Sequence, residues 1–328
     1  KLGHMQIHNH GWSLFFPFSV PPKRLVDLRS ANVELIDEPT ENHEDHPNRT
    51  SQLKRTKALA DLHSHVRDHL LDEKPDSFRF MIPHDSSEMS LTRDQIGATP
   101  FSVIHVSTEC VVFSDGIGFL IGTFALPDEI VSLERFTRGN NRLRVPEQQP
   151  LLLLDRLFSQ YIAPHGANKL IEERPPLLAH LVVPESTSAE KIGSILATTG
   201  NFFWGDVRGT VGDDASGSLM PEGTSSLAPN IFLRASQRGA VLLMIDDGDY
   251  AVKKFPVNAG FRWREIYMLA LHERFALAQL SSQLRRLTLL RGRPLSQLKF
   301  ARGLGDLRSS YLNHTSLHRL RDISTDER

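Results

Sequence analysis

The sequence predicts an α+β protein, a mixed or antiparallel sheet with flanking helices, followed by long stalk-like helices toward the C-terminal end. Three observations lead there. Short runs rich in Val, Ile and Phe, closed by Pro, Gly or Asp, recur through residues 5–258. Segments with apolar residues at helical spacing lie between them. From Phe261 onward the apolar positions step by four and three, the mark of a heptad seam.

Taken in order, Lys1-Leu2-Gly3-His4 reads as the remnant of an expression tag, with Met5 as the native start. Leu14 to Phe18 is an apolar run closed by Pro21-Pro22, an early strand, with a helix following at Lys23 to Leu28. Asp37 to Arg49 is a polar loop. Leu53 to Leu71 places Leu59, Leu62, Val66 and Leu70 on one helical face. Phe78 to Ile82 alternates as a strand does. Val103 to Val106, Cys110 to Phe113 and Gly118 to Phe124 are adjacent strands, with Ser114-Asp115-Gly116 as a hairpin turn. Leu151 to Tyr161 predicts a helix, and Leu177 to Val183, bounded by prolines, predicts a buried strand. Gly205 to Ser226, rich in Gly, Ser, Asp and Thr, is a long loop. Ile231 to Ala235 and Ala240 to Ile245 are strands, and Asp246 to Asp249 turns the chain into a further strand at Tyr250 to Phe255.

Ile266, Ala270, Glu273, Leu277, Leu280, Leu284 and Leu287 then form the seam, with one polar break over about three heptads. Gly292 and Pro294 interrupt it, and a more polar helix runs from about Leu295 to Leu320. The expected organisation is an α/β body at 5–258 and a helical hairpin or stalk at 259–328, without internal repeats.

Lys and Arg number 38 against 39 Asp and Glu, a net charge of -1, so nucleic acid is not an expected partner. The single cysteine, Cys110, excludes an internal disulfide framework. Its apolar surroundings predict a buried structural thiol, and sparse cysteine fits a reducing compartment. No secretory signal follows Met5, and no stretch approaches the roughly 18 to 20 apolar residues of a spanning helix.

Candidate chemistry is sparse. His65 and His69, with His63 nearby, sit one helical turn apart and could share a divalent cation, Mg2+ or another. No Glu stands between them in the zincin arrangement and no third ligand is identifiable, so a solvated polar face is the simpler account. The Gly-rich stretch from Gly205 to Gly217 lacks the Lys-Ser/Thr ending of a phosphate-binding loop. Asp246, Asp247 and Asp249 are explained by turn formation. No Gly-x-Ser-x-Gly elbow occurs, so no catalytic constellation is found and an enzyme is not expected. Arg262, Arg264 and Arg274 head an Arg-rich run that includes Arg285, Arg286, Arg291 and Arg293. Guanidinium groups in such a run bind phosphates of nucleotides or lipids, or else form the solvated and salt-bridging faces of a stalk.

Several stretches together are similar to one known family. These are Phe16-Pro17-Phe18, His65 to Leu70, Phe113 to Leu120 and Tyr267 to Phe275. In order and spacing they resemble the soluble part of bacterial CorA-like proteins, the two-transmembrane divalent-cation transporter superfamily. The resemblance implies a cytosolic domain of an inner-membrane protein, a long stalk helix, pentameric assembly, ion transport and cation permeation such as that of magnesium. The family's Gly-Met-Asn pore signature and its membrane helices do not occur in these 328 residues, so that either the helices follow beyond Arg328 or the chain is a soluble relative. No metal-binding residue of the family falls on a matching motif here. Distant members act as nucleotide-gated membrane effectors in antiviral defence. The expectations are thus a ligand-sensing regulatory domain of a CorA-like channel, a nucleotide-gated effector, or a soluble helical interaction module.

Overall fold

The structure, a computed structural model, describes residues 4–32, 78–83, 88–91, 101–170, 174–199, 224–236, 239–248, 255, 259–290, 301–305 and 307–308. The candidate pair His65 and His69, the helix expected at 53–71, and 205–223 of the expected loop lie outside these residues, as do 249–254.

A mixed sheet forms the middle of the molecule. Its centre is β1 (Gln6–Ser19), which pairs antiparallel with β5 (Ile117–Ala125) on one side and β8 (Leu177–Val183) on the other. Beyond β5 come β4 (Phe101–Val112) and β2 (Phe78–Met81), with β3 (Glu88–Leu91) also on β4. Beyond β8 come β11 (Gly239–Ile245), β10 (Ile231–Ser236) and β9 (Thr224–Ala228). Short β6 (Val131–Ser132) and β7 (Asn168–Lys169) add to β1. The β8–β11 pair is parallel, and the other pairs are antiparallel.

A central strand must be apolar on both faces, and β1 is. Trp12, Leu14, Phe16 and Phe18 enter one core and Phe15 the other, as the period of two requires. Pro17 is tolerated mid-strand because its missing N–H faces the side where the β8 pairing has already ended at Leu14.

Helices α1 (Leu25–Ala31), α2 (Leu133–Arg142), α3 (Gln149–Tyr161) and α4 (Ala189–Thr199) contribute to the first core through Leu28, Phe136, Leu154, Phe158, Ile195 and Leu196. The long helix α5 (Arg264–Leu290) covers the opposite face, packing Met268, Leu269 and Leu271 on Phe15, Phe119, Ile121 and Leu178. The result is a layered α/β/α arrangement.

Several expectations change in detail. The two strands expected at 103–106 and 110–113 are one strand, β4, kinked by a register shift between His105 and Ser107 that the apolar pattern does not reveal. Thr224 to Ser226, expected within the long loop, belong to β9. Helix α2 escapes the periodicity because polar and small residues share its inner face with Leu133 and Phe136: Thr137 and Asn140 are buried, and Gly139 lies against the Trp12 ring.

The heptad seam is helical, but beyond Ile266, which packs at the edge of the core, it is not the face that meets the sheet. The buried face of α5 is Glu265, Met268, Leu269, Leu271, His272 and Ala276, whereas Leu277 and Leu284 are 46% and 49% exposed. Leu287, the last seam position, is buried, with Gly303 of a second helical stretch, 301–305, against its side chain.

Candidate functional site

The most distinctive chemistry lies where α5 meets the sheet. A π turn, Ala259–Trp263, delivers the chain into α5, so that Arg264 and Glu265 open the helix facing inward. Across from them, Arg79 of β2 and Glu109 of β4 project from neighbouring strands of the same ladder. Glu265 takes a two-pronged contact from Arg79, Nη1 to Oε1 at 3.0 Å and Nη2 to Oε2 at 2.6 Å. Arg79 Nη1 also reaches Glu109 Oε1 at 3.3 Å. Arg264 Nη2 closes the ring, 2.8 Å from Glu109 Oε2 and 3.3 Å from Glu265 Oε1.

All four residues are buried, and Glu265 has no exposed surface. Four charges in a low-dielectric site persist only because they alternate in sign and hydrogen-bond closely. Burial by itself would lower the Arg79 pKa, but the Glu265 and Glu109 carboxylates outweigh it and hold the guanidinium above its ordinary value.

Two turns further along, His272 is fully buried and places Nε2 3.0 Å from Asp115 Oδ2. Its ring lies 4.1 Å from that of Phe113. Asp115 sits at the tip of the β4–β5 hairpin, where its other oxygen accepts the Ile117 N–H at 3.0 Å. The turn needs glycine at 116, which has φ +86°. Phe15 meets Tyr267 edge-on at 5.4 Å, and Phe119 meets Phe275 at 6.0 Å. The hairpin segment Phe113–Leu120 and the helix segment Tyr267–Phe275, both singled out in the sequence, therefore form one docking seam.

The three candidate arginines do not converge. Arg264 belongs to the buried ring of charges, and Arg262 lies with its guanidinium 5.7 Å from the Trp263 ring. Arg274 is exposed, 5.7 Å over the Phe275 ring and ten residues beyond Arg264, roughly 15 Å along the helix axis. Sequence reasoning missed Arg79, Glu109 and Glu265, since isolated charges in apolar strands carry no motif. Their one local signal is position: Arg79 and Glu109 sit within runs that otherwise read as buried.

A second group gathers at the bulge of β1, where Asn9 takes φ 44° and the pairing with β8 slips between His8 and Gly11. His8 reaches Asp246 at 3.1 Å, which ties the turn after β11 to β1. Asp246 also accepts the Gly248 N–H at 2.8 Å, as expected of a turn residue. His180 of β8 lies against Gly11, where an added Cβ would come within 2.8 Å of its ring. Burial, with the nearby His10, pushes His180 down to about 4, and burial likewise lowers His10. Among the described residues no group of three or more His, Cys, Asp or Glu is placed to hold a metal ion. Cys110 is fully buried, and burial pushes its thiol pKa well up.

No family model, no curated protein and no solved structure matches this chain. Among the described residues no helix is long and apolar enough to cross a membrane.

Proposed function

We propose that the chain is the ligand-sensing, regulatory body of an oligomeric CorA-like membrane assembly, with α5 as the element that carries its state outward. One observation supports this reading above others. The first half of α5 is clamped to the sheet by Arg79, Glu109 and Glu265, while its second half presents Leu277 and Leu284 to the outside. A helix held rigidly at one end, with exposed leucines among polar residues toward the other, suits the passage of a displacement from a body to neighbouring helices. The ligand sensed is a divalent cation such as Mg2+ or a small anionic molecule. The nucleotide-gated form of the same architecture differs only in which of these it takes.

The exposed Leu277 and Leu284 favour a second reading, a helical interaction module that holds a partner constitutively. Hydrogen exchange combined with sedimentation separates the two. On the sensing reading, Mg2+ or ADP changes amide protection across Arg264–Ala276 and shifts the association equilibrium of the chain. Constitutive association that neither ligand alters would favour the interaction module. A monomer at high concentration, unchanged by either ligand, would overturn the sensing reading.

A further inference from the structure

The far half of α5 carries a face that the body leaves uncovered. From Ser281 to Arg286 every residue is exposed, so the helix stands clear on all sides there. Leu277 and Leu284 lie about two turns apart on one side of it, and Arg285 flanks them. Gly303 packs against Leu287, where an added Cβ would fall 2.3 Å from Leu287 Cδ2, and this sets the second helical stretch beside the end of α5. On that stretch Leu304 and Arg308, one turn apart on the same face, are exposed as well.

Charge singles out the same region. Residues 277–308 hold seven Lys and Arg against one acid, Asp306, whereas the rest of the chain holds 31 against 38. A chain close to neutral as a whole therefore sets a basic stretch on an acidic body. Basic residues along an amphipathic helix draw it to anionic lipid. Their long stems let the guanidiniums reach the headgroups while neighbouring leucines enter the acyl boundary. A nucleic acid would match the charge, but its phosphates offer nothing to the three leucines. A second copy of the same face would set arginine on arginine, with only Asp306 to balance them.

We propose that this face, shared by the far half of α5 and the stretch at 301–308, docks on the surface of an anionic lipid bilayer. Leu277, Leu284 and Leu304 enter the interface, and Arg285 and Arg308 lie among the headgroup phosphates. The helix then rests along the bilayer rather than across it. Guanidinium groups suit this place, because they stay charged at any relevant pH and donate in a planar fork that matches a phosphate edge. The inference goes beyond the sensing reading and stands without it. It concerns the surface on which the far half of α5 rests, not the ligand of the body, so a failure of lipid binding leaves that reading as it was.

Flotation of the whole chain with vesicles of phosphatidylcholine and phosphatidylglycerol, beside vesicles of phosphatidylcholine alone, tests it. The chain should float with the anionic vesicles and not with the neutral ones, and added salt should release it. Arg285→Gln together with Arg308→Gln should weaken binding roughly 25-fold, about fivefold for each arginine. Leu277→Ser together with Leu284→Ser should weaken it about tenfold through lost apolar contact. All four positions are exposed, and urea midpoints close to the parent's show that each variant keeps the fold. Flotation with neither vesicle, equal flotation with both, or binding untouched by both double variants overturns the proposal. Tighter binding to a duplex DNA oligonucleotide, indifferent to the leucine change, would also overturn it and assign the charge to nucleic acid. Self-association that the leucine change abolishes, without flotation, would assign the face to a second copy instead.

Discussion

Arg79, Glu109, Arg264 and Glu265 illustrate how little a single residue reveals in isolation. Removing one member leaves its partners charged, buried and unmatched, which is costlier than the pair itself is stabilising. Glu265→Gln should therefore destabilise the chain by about 3 to 5 kcal/mol. Arg285→Ala, at an exposed position, should stay within about 0.5 kcal/mol of the parent, and urea midpoints compare the two. His180 makes a separate prediction in pH. The unfolded ring takes up a proton below about 6.5, whereas the folded one resists until about 4. Between those values the unfolded state binds more protons, so stability falls as pH drops through that window, by on the order of 2 to 3 kcal/mol, and levels off below it. His180→Asn should flatten that part of the stability profile, and burial-lowered His10 should leave a smaller slope of the same sign. An unchanged profile in the variant would refute the assignment.

Among the elements, the β4–β5 hairpin and α5 depend on each other. The turn brings Asp115 to His272, and its backbone admits no side chain at 116, where a Cβ would lie 2.0 Å from the Val20 carbonyl oxygen. Gly116→Ala should cost at least about 2 kcal/mol, from left-handed strain plus a backbone clash. Gly166 shares the left-handed conformation, with φ +78°, but has open space around it. Gly166→Ala should thus cost only about 1 kcal/mol, and thermal unfolding of both variants measures the difference. The hairpin was legible beforehand because Ser-Asp-Gly between β-rich runs has a local physical cause. Helix α2 was not, because the residues of its inner face are chosen by its neighbours. Asn140 accepts from the Trp12 indole at 2.6 Å and donates to the Thr199 carbonyl at 2.8 Å, bonds that link α2 to β1 and α4. A buried asparagine looks like a surface residue until those partners are known.

On the scale of the whole molecule, α5 has two faces with different duties. One closes the second core over the sheet, and the other leaves Leu277 and Leu284 outside. Replacing both leucines by lysine should leave the urea midpoint almost unchanged, within about 0.5 kcal/mol. The same double variant should lose any self-association of the parent in sedimentation equilibrium; a large loss of stability instead would assign that face to the fold. The α+β class, most strand positions and the helical character of 264–290 were determined by the sequence alone, because alternation, turn chemistry and helical period are local properties. The faces of that helix were not. The seam from Ile266 to Leu287 reads as its apolar stripe, yet the sheet takes Met268, Leu269, Leu271 and His272. Only the tertiary structure decided this, since Arg79 and Glu109, distant in the chain, capture Glu265 and Arg264 and so fix how α5 is rotated on the sheet.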